Sequence, residues 1–369
     1  MTQGGRTRRF VVAGGGTGGH VTPALALGER IAERGDAVLF LGGKRGLEKE
    51  LVPAAGFRLV ALDAMPFQGR SRSERLRVWL GLPRLVLAAR RTLRQFGAEI
   101  VVSVGGYAAF APVLAAASLR LPVALVNTDA VPGLANRLAG RFADRIFVGF
   151  AAAAEAFSGA GAPDRVQVSG IPVRRALVEA FAAAAPRRRP ELPLRLLVFG
   201  GSQGARQLNE AMIAALGDLD LSKLEIFHQT GAADAERVAE AYARAGARAE
   251  VKAFETDMPS RYRWADLALC RSGALTVAEL ALAGLPALLV PYPHAANDEQ
   301  SANARELATA KAARLLASAS FDAGVLASEL RVFLDDPTRL VAMSAAASKL
   351  SHPDAAESIV DACAKLLEA

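Results

Sequence analysis

The pattern that most restricts this chain occurs twice. Residues 10–13 (FVVA) form a short apolar run leading into GGGTGGH at 14–20, and a helical pattern with Pro23 near its start runs on to about residue 34. Residues 194–199 (LRLLVF) lead into GGSQGA at 200–205, and a second helical pattern covers 207–216. Strand, glycine loop and helix thus recur 186 residues apart, counted from Gly14 to Gly200. That recurrence predicts an α/β chain of two Rossmann-like domains with parallel sheets facing a central cleft. The length of 369 residues suits two domains. Further β-rich runs at 38–41, 100–104, 123–126, 145–148 and 267–270 alternate with helical patterns, as parallel sheets require. The stretch 182–193 (AAAAPRRRPELP) combines an alanine run, a basic triplet and three prolines, so it is the expected linker. The expected domains are 1–181 and 194–369, with the last helix a candidate to pack back on the first.

Several classes are excluded. Hydrophobic residues make up 52% and charged residues 22%, a globular composition rather than a disordered one. The uncharged stretch 100–119 would just span a bilayer, but Gly105, Gly106 and Pro112 interrupt it, so it reads as strand, loop and helix. The run at 10–13 is too short for a signal-peptide core, which predicts a cytoplasmic protein. Two cysteines, Cys270 and Cys363, cannot build a disulfide framework or a cysteine-based metal site.

The loops carry the chemistry. GGGTGGH satisfies G-x-G-x-x-G at Gly14, Gly16 and Gly19, yet the second strand ends in Leu41-Gly42-Gly43-Lys44, without the acid that would hold a dinucleotide ribose. Glycines there can still expose a helix N-terminus to phosphate, and His20 sits where the helix dipole favours a neutral, proton-accepting imidazole. In the second loop Ser202 can donate to phosphate oxygens. The turn at 271–276 opens a helix carrying Glu279, whose carboxylate can bridge two ribose hydroxyls or simply complement the dipole. Residues 291–303 are polar, and Asp298, Glu299 and Gln300 can meet sugar hydroxyls. Asp218-Leu219-Asp220 matches a metal-binding D-x-D but follows a helix end, so it reads as a surface turn. No G-x-x-x-x-G-K-[ST] occurs.

Taken together, GGGTGGHVTPALAL, SVGGYAAFAPVLAA, AVPGLANR, GIPVR, VFGGSQGARQLNEA, ADLALCRSGALTVAELALAGLPALLVPYP and DEQSANA resemble, in order and spacing, the MurG family. That family comprises GT-B peptidoglycan N-acetylglucosaminyltransferases. The resemblance implies inverting, metal-independent transfer of N-acetylglucosamine from UDP-GlcNAc to the C4 hydroxyl of the N-acetylmuramoyl group of lipid I, making lipid II. It implies His20 as the base; Asp129, an acid where the family has an amide, is a rival base that this chain's own residues offer. It also implies donor contacts at Thr17, Gly18, Gly19, Asp129, Arg174, Ser202, Ala274, Leu275, Thr276, Val277, Ala278, Glu279 and Gln300, with the Glu255 backbone meeting the uracil. Where the family commonly reads H-E-Q-N, this chain reads Val126-Asn127-Thr128-Asp129. The implied partners are UDP-GlcNAc, lipid I, the cytoplasmic face of the bacterial inner membrane and other cell-wall synthesis proteins. No cofactor, metal or nucleic acid is implied.

Charge placement supports the membrane. The net charge is +7, and residues 69–96 hold eight arginines against Glu74 while the remainder is balanced at 36 basic and 36 acidic residues. The companions are Trp79, Leu80, Leu82 and Leu87, which suit an anionic bilayer surface better than nucleic acid. A helix from Pro83 onward would set Leu85, Val86, Ala89, Leu93 and Phe96 against Arg84, Arg90, Arg91 and Arg94, with Trp79, Leu80 and Leu82 just before it. Alternatives at this point are a GT-B enzyme with another acceptor, an NAD-binding oxidoreductase, and an inactive membrane scaffold.

Overall fold

Continuous apolar runs need cover on both faces, and the strands here are used that way. The computed structural model describes residues 6–65, 71–158, 163–182, 187 and 189–368, without the side chains of 72–77, 158, 163 and 296. Residues 183–186 and 188 of the expected linker lie outside the described residues, as do Gly69 and Arg70 of the basic segment.

The first sheet contains β1 (Arg9–Gly14), β2 (Ala37–Gly43), β3 (Leu59–Leu62), β4 (Ile100–Gly105), β5 (Val123–Asn127), β6 (Arg145–Val148) and β7 (Val166–Val168). It is parallel throughout, in the order β3-β2-β1-β4-β5-β6-β7. Alternate residues serve opposite faces. Phe10, Val12, Ile100 and Val102 pack with the helix Gly18–Glu33 and with Ile359, Val360 and Cys363 of the last helix, Ala355–Leu366. Val11, Ala13, Val101 and Leu125 pack with Ala89 and Leu93 of the helix Arg72–Phe96 and with Val113 and Ala116.

The second sheet contains β8 (Leu194–Phe199), β9 (Leu224–Gln229), β10 (Arg248–Lys252), β11 (Leu267–Cys270), β12 (Ala287–Leu289) and β13 (Ala313–Leu315). It too is parallel, in the order β10-β9-β8-β11-β12-β13. Leu196, Val198 and Ile226 are covered by Leu208 and Met212 from one helix and by Leu326 and Leu330 from another.

The chain divides into one unit of Met1–Arg175 with His352–Ala369 and another of Ala176–Ser351. The division therefore falls before 181. The reason is local: Arg263 donates to the Ala180 carbonyl at 2.8 Å and lies over the Phe181 ring, which ties the helix Arg175–Ala182 to the second unit. The last helix is tied to the first unit by ion pairs Arg30–Glu357 and Arg34–Asp361, and the residues after it by Arg8–Glu368.

One expectation is corrected. The basic helix begins at Arg72, not Pro83, and runs through the proline to Phe96. Proline removes one backbone donor and crowds the preceding turn, a local cost of about 3 kcal/mol. Local propensity does not favour continuation, since Gly81 stands two residues before the proline, and Ala89 and Leu93 anchor the downstream half in the core. Trp79, Leu80 and Leu82 are thus part of the helix.

Candidate functional site

In each sheet the strand order reverses between neighbours, at β1/β4 and at β8/β11. Loops leaving the carboxyl ends of such strands diverge and open a crevice, the usual ligand position in open α/β sheets. Both glycine loops stand at these points.

In the first unit Gly14 lies opposite Gly105, so the loop after β1 and the turn after β4 leave the sheet side by side. Gly16 has φ +107°, which a side chain would strain. Thr17 is extended and caps the helix Gly18–Glu33 without a side-chain bond. Among the described residues the Gly18 and Gly19 N–H groups, in the first turn, have no acceptor, so they can meet an anion. Thr17 is exposed; Gly18, Gly19 and His20 are half-buried. The His20 ring lies beside Gly106, where an added Cβ would sit 3.0 Å from its Cδ2. Its Nδ1 is buried without a partner among the described residues.

Glu48 is a residue that sequence reasoning missed. It is 1% exposed, and it accepts the Gly16 N–H at 2.8 Å and the Gly43 N–H at 2.7 Å. Gly16 is therefore turned inward and is not available to a ligand. Nor is Glu48 the acid of a dinucleotide enzyme, because both oxygens already serve the protein backbone. At the end of β5, the buried Asn127 donates to the Asp129 carbonyl at 2.7 Å and accepts from Asn136 at 2.9 Å. Asn127 thus holds the turn that carries the half-buried Asp129.

Arg174 also falls in the first unit, where it pairs with Glu29 at 2.6 Å while its Nε is buried without a partner among the described residues.

In the second unit Gly204 has φ +74°, and a Cβ there would collide with the Thr230 carbonyl. The turn leaves Ser202 exposed. Gln229, at the end of β9, donates to the Gly201 carbonyl at 2.8 Å and accepts the Glu255 N–H at 3.3 Å, joining the loop to Glu255. Burial alone would push the Glu255 carboxyl up, but the Asp257 N–H, Arg261 and Lys252 outweigh it and hold it at about 2. That side chain is committed to the scaffold and the N–H to Gln229, so only the backbone carbonyl is left for a ligand.

The helix Ala274–Ala283 follows β11 after an extended Gly273 cap. Ala274 and Val277 are buried and Leu275, Thr276 and Ala278 half-buried. Glu279 is half-buried; desolvation pushes its carboxyl up to about 7, opposed by a 2.7 Å hydrogen bond from the Tyr262 hydroxyl. Gln300 is held to the same turn, its carbonyl accepting from the buried Ser272 hydroxyl at 2.8 Å and its side chain accepting the Tyr292 N–H at 2.9 Å.

Beneath the second loop lies a network also missed from sequence. His228 is fully buried, 2.8 Å from the Tyr242 hydroxyl through Nδ1 and 3.0 Å from Asn209 Oδ1 through Nε2. Asn209 spends its amide hydrogens on the Thr230 carbonyl and Asp234, so Oδ1 can only accept. Nε2 therefore carries the proton and Tyr242 donates to Nδ1. Burial lowers the His228 pKa to about 3, against a smaller pull from Asp234.

Among the described residues no group of His, Cys, Asp and Glu side chains is arranged to hold a metal ion. Asp220 caps its own turn, accepting from the Ser222 N–H at 3.2 Å, which is the surface turn expected of the D-x-D sequence. Also among them, no helix is long and apolar enough to cross a membrane. On the basic helix Trp79, Leu80 and Leu87 are 48%, 72% and 66% exposed. Arg84, Arg91 and Arg94 are exposed, while Leu82 is half-buried and Arg90 turns toward Ser118 at 3.4 Å.

Comparison with known proteins places this geometry in context. Residues 10–148 match the glycosyltransferase family 28 N-terminal domain and residues 195–359 its C-terminal domain. An Anaeromyxobacter sp. (strain Fw109-5) protein named UDP-N-acetylglucosamine--N-acetylmuramyl-(pentapeptide) pyrophosphoryl-undecaprenol N-acetylglucosamine transferase is 43% identical over 366 residues, covering 97% of this chain and 93% of that protein. A Nitratidesulfovibrio vulgaris (Hildenborough) protein of the same name is 42% identical over 364 residues, covering 98% of each. The crystal structure of Acinetobacter baumannii MurG superposes with a TM-score of 0.80 at 30% identity, over 97% of this chain and 99% of that one.

Proposed function

The chain belongs to glycosyltransferase family 28, and on that premise we propose that it transfers N-acetylglucosamine from UDP-GlcNAc to the C4 hydroxyl of the N-acetylmuramoyl group of lipid I, making lipid II for peptidoglycan synthesis. Its fold is of the GT-B type. The observation that carries the reading is the breadth of the match: relatives named for this transfer align with nearly the whole chain.

The chemistry follows from the parts. In an inverting step the acceptor oxygen attacks C1 of the sugar as the bond from C1 to the β-phosphate oxygen breaks. The hydroxyl proton passes to a base, and the electron pair leaves with UDP. His20 is the proposed base, and Asp129 its rival. Developing charge on UDP would be met by backbone N–H groups at the helix starts and by the Ser202 hydroxyl, without a metal. Glu279 would take the ribose hydroxyls, the Glu255 backbone the uracil, and Arg174 and Gln300 the remaining donor contacts.

The substrate pyrophosphate is lipid-anchored, so the proposed location is the cytoplasmic face of the inner membrane, with the exposed stripe of the basic helix as the attachment surface. The reaction is tested with radiolabelled UDP-GlcNAc and lipid I. Labelled lipid II with matching UDP release is the expected result. Transfer only to other acceptors, or heat protection by NADH but not by UDP, would overturn the reading.

A further inference from the structure

A fully buried carboxylate is costly unless its oxygens are satisfied, and Glu48 has no cationic partner among the described residues. What satisfies it is backbone, from the loop after β1 and from the end of β2. Its Oε2 accepts from Gly16 and its Oε1 from Gly43. The neighbouring Leu47 N–H in turn donates to the Gly16 carbonyl at 3.2 Å, so residues 47 and 48 hold Gly16 by both of its polar groups. The space is shaped to match. A Cβ on Gly15 or Gly46 would lie 2.5 or 2.7 Å from the carboxyl carbon, one on Gly42 2.7 Å from Cγ, and one on Gly43 3.0 Å from Oε1.

We propose that Glu48 is a positioning residue for the glycosyl-transfer step, fixing the Gly15–Gly16 turn so that the loop running directly into Thr17 and His20 has one geometry. The inference rests on the reading of that loop as part of the transferase site. The two groups hydrogen-bonded to Glu48 are backbone donors, each needing an acceptor oxygen, and the Tyr107 hydroxyl stands beside the same edge at Gly43. A glutamine of the same shape would present an amide hydrogen to a backbone hydrogen and leave one buried N–H unpaired. A loop displaced by about 1 Å can slow a reaction by about a hundredfold without weakening ligands held elsewhere. Ser202, Glu255 and Glu279 belong to the other unit.

The test compares Glu48→Gln, His20→Ala and the parent protein for turnover with lipid I and for UDP affinity by calorimetry. For Glu48→Gln the expected result is a kcat lowered by roughly tenfold to a hundredfold with a much smaller loss of UDP affinity, because Ser202, Glu255 and Glu279 of the other unit keep their proposed contacts. Parental kcat in a Glu48→Gln protein that binds UDP overturns the inference while leaving the transferase reading intact. Loss of turnover in Glu48→Gln with retention in His20→Ala overturns the base assignment and supports the role of Glu48 in holding the loop backbone. Should Glu48→Gln fail to fold, Gly15→Ala probes the same contact with the carboxylate kept. The same loss of kcat, larger than any loss of UDP affinity, is expected there, and parental kcat would overturn the inference.

Discussion

The Tyr262 hydroxyl donates a 2.7 Å hydrogen bond to Oε2 of Glu279, stabilising the ionised form of a carboxyl that burial pushes up to about 7. If the carboxylate receives the ribose hydroxyls, ligand and proton compete. UDP affinity should be level above pH 7 and fall below it, approaching tenfold per pH unit. Calorimetric titration from pH 5.5 to 8.5 reads this directly. Glu279→Gln should bind UDP at least about tenfold more weakly at pH 8 and keep only the pH dependence of the UDP terminal phosphate, which ionises at about 6, and a profile unchanged by the substitution would remove Glu279 from the ribose site.

Tyr262→Phe removes the donor without emptying the space. The carboxylate loses a favourable bond, its pKa rises further, and the midpoint of the UDP binding profile should move to higher pH. At pH 7 affinity should drop by about threefold to tenfold. Identical midpoints in the two proteins would show that the hydroxyl does not act on Glu279.

The first loop and the turn after β5 each offer a base. His20→Ala should lower turnover by about a hundredfold or more with UDP affinity nearly intact, as loss of general-base catalysis predicts. If Asp129→Asn is inactive and His20→Ala is not, the two roles must be exchanged.

His228 predicts an acid-sensitive second unit. Folded, its ring stays neutral down to about pH 3; unfolded, it takes a proton near 6.5. Between those values the unfolded chain binds more protons, so the contribution is complete above about pH 6.5 and lost as pH falls, at up to about 1.4 kcal/mol per unit. Trp264 packs edge-on against Phe227, so its fluorescence in a Trp79→Phe background reports this unit. Urea midpoints should fall from pH 7 to 5, and His228→Asn should start lower but vary less. Equal slopes would place the pH sensitivity elsewhere.

How much of this could be read in the sequence depends on range. The repeated strand, glycine loop and helix placed both switch points, because glycines and apolar runs are local signals. Strand β13 (Ala313–Leu315) is three residues between alanine-rich helices, and β10 (Arg248–Lys252) is a charged edge strand, so neither announces itself. Strand β9 hides because it buries His228 and Gln229, polar residues whose partners Asn209, Tyr242 and Gly201 lie far along the chain. Glu48 reads as an ordinary acid at the start of a short helix. Its burial is set by contacts with Gly15 and Gly16, more than thirty residues away, although the glycine cluster 42–46 just before it was a usable hint. The continuation of the basic helix through Pro83 was illegible for the opposite reason: the local signal was strong and packing overrode it.

That continuation sharpens the last prediction. Along one continuous helix Leu80, Arg84, Leu87, Arg91 and Arg94 follow one another at spacings of four, three, four and three, which keeps them within an arc of about 80°. Among the described residues Leu80 and Leu87 are the most exposed large apolar side chains, and they alternate with exposed arginines, where solubility alone would favour neither. A solvated basic face would use the charges and not the leucines, whereas an anionic bilayer uses both, the arginines at the headgroups and the leucines just below. At roughly 1 kcal/mol per arginine near such a surface, attachment is reversible and weakens steeply with salt. Two variants separate the contributions. Arg84, Arg91 and Arg94 all changed to Glu should abolish cosedimentation with anionic vesicles at any salt, while Leu80→Ser with Leu87→Ser should weaken it and leave its salt dependence. Transfer to a short-chain, water-soluble acceptor should continue in both. Undiminished vesicle binding by the folded triple variant would return this stripe to being a solvated helix face.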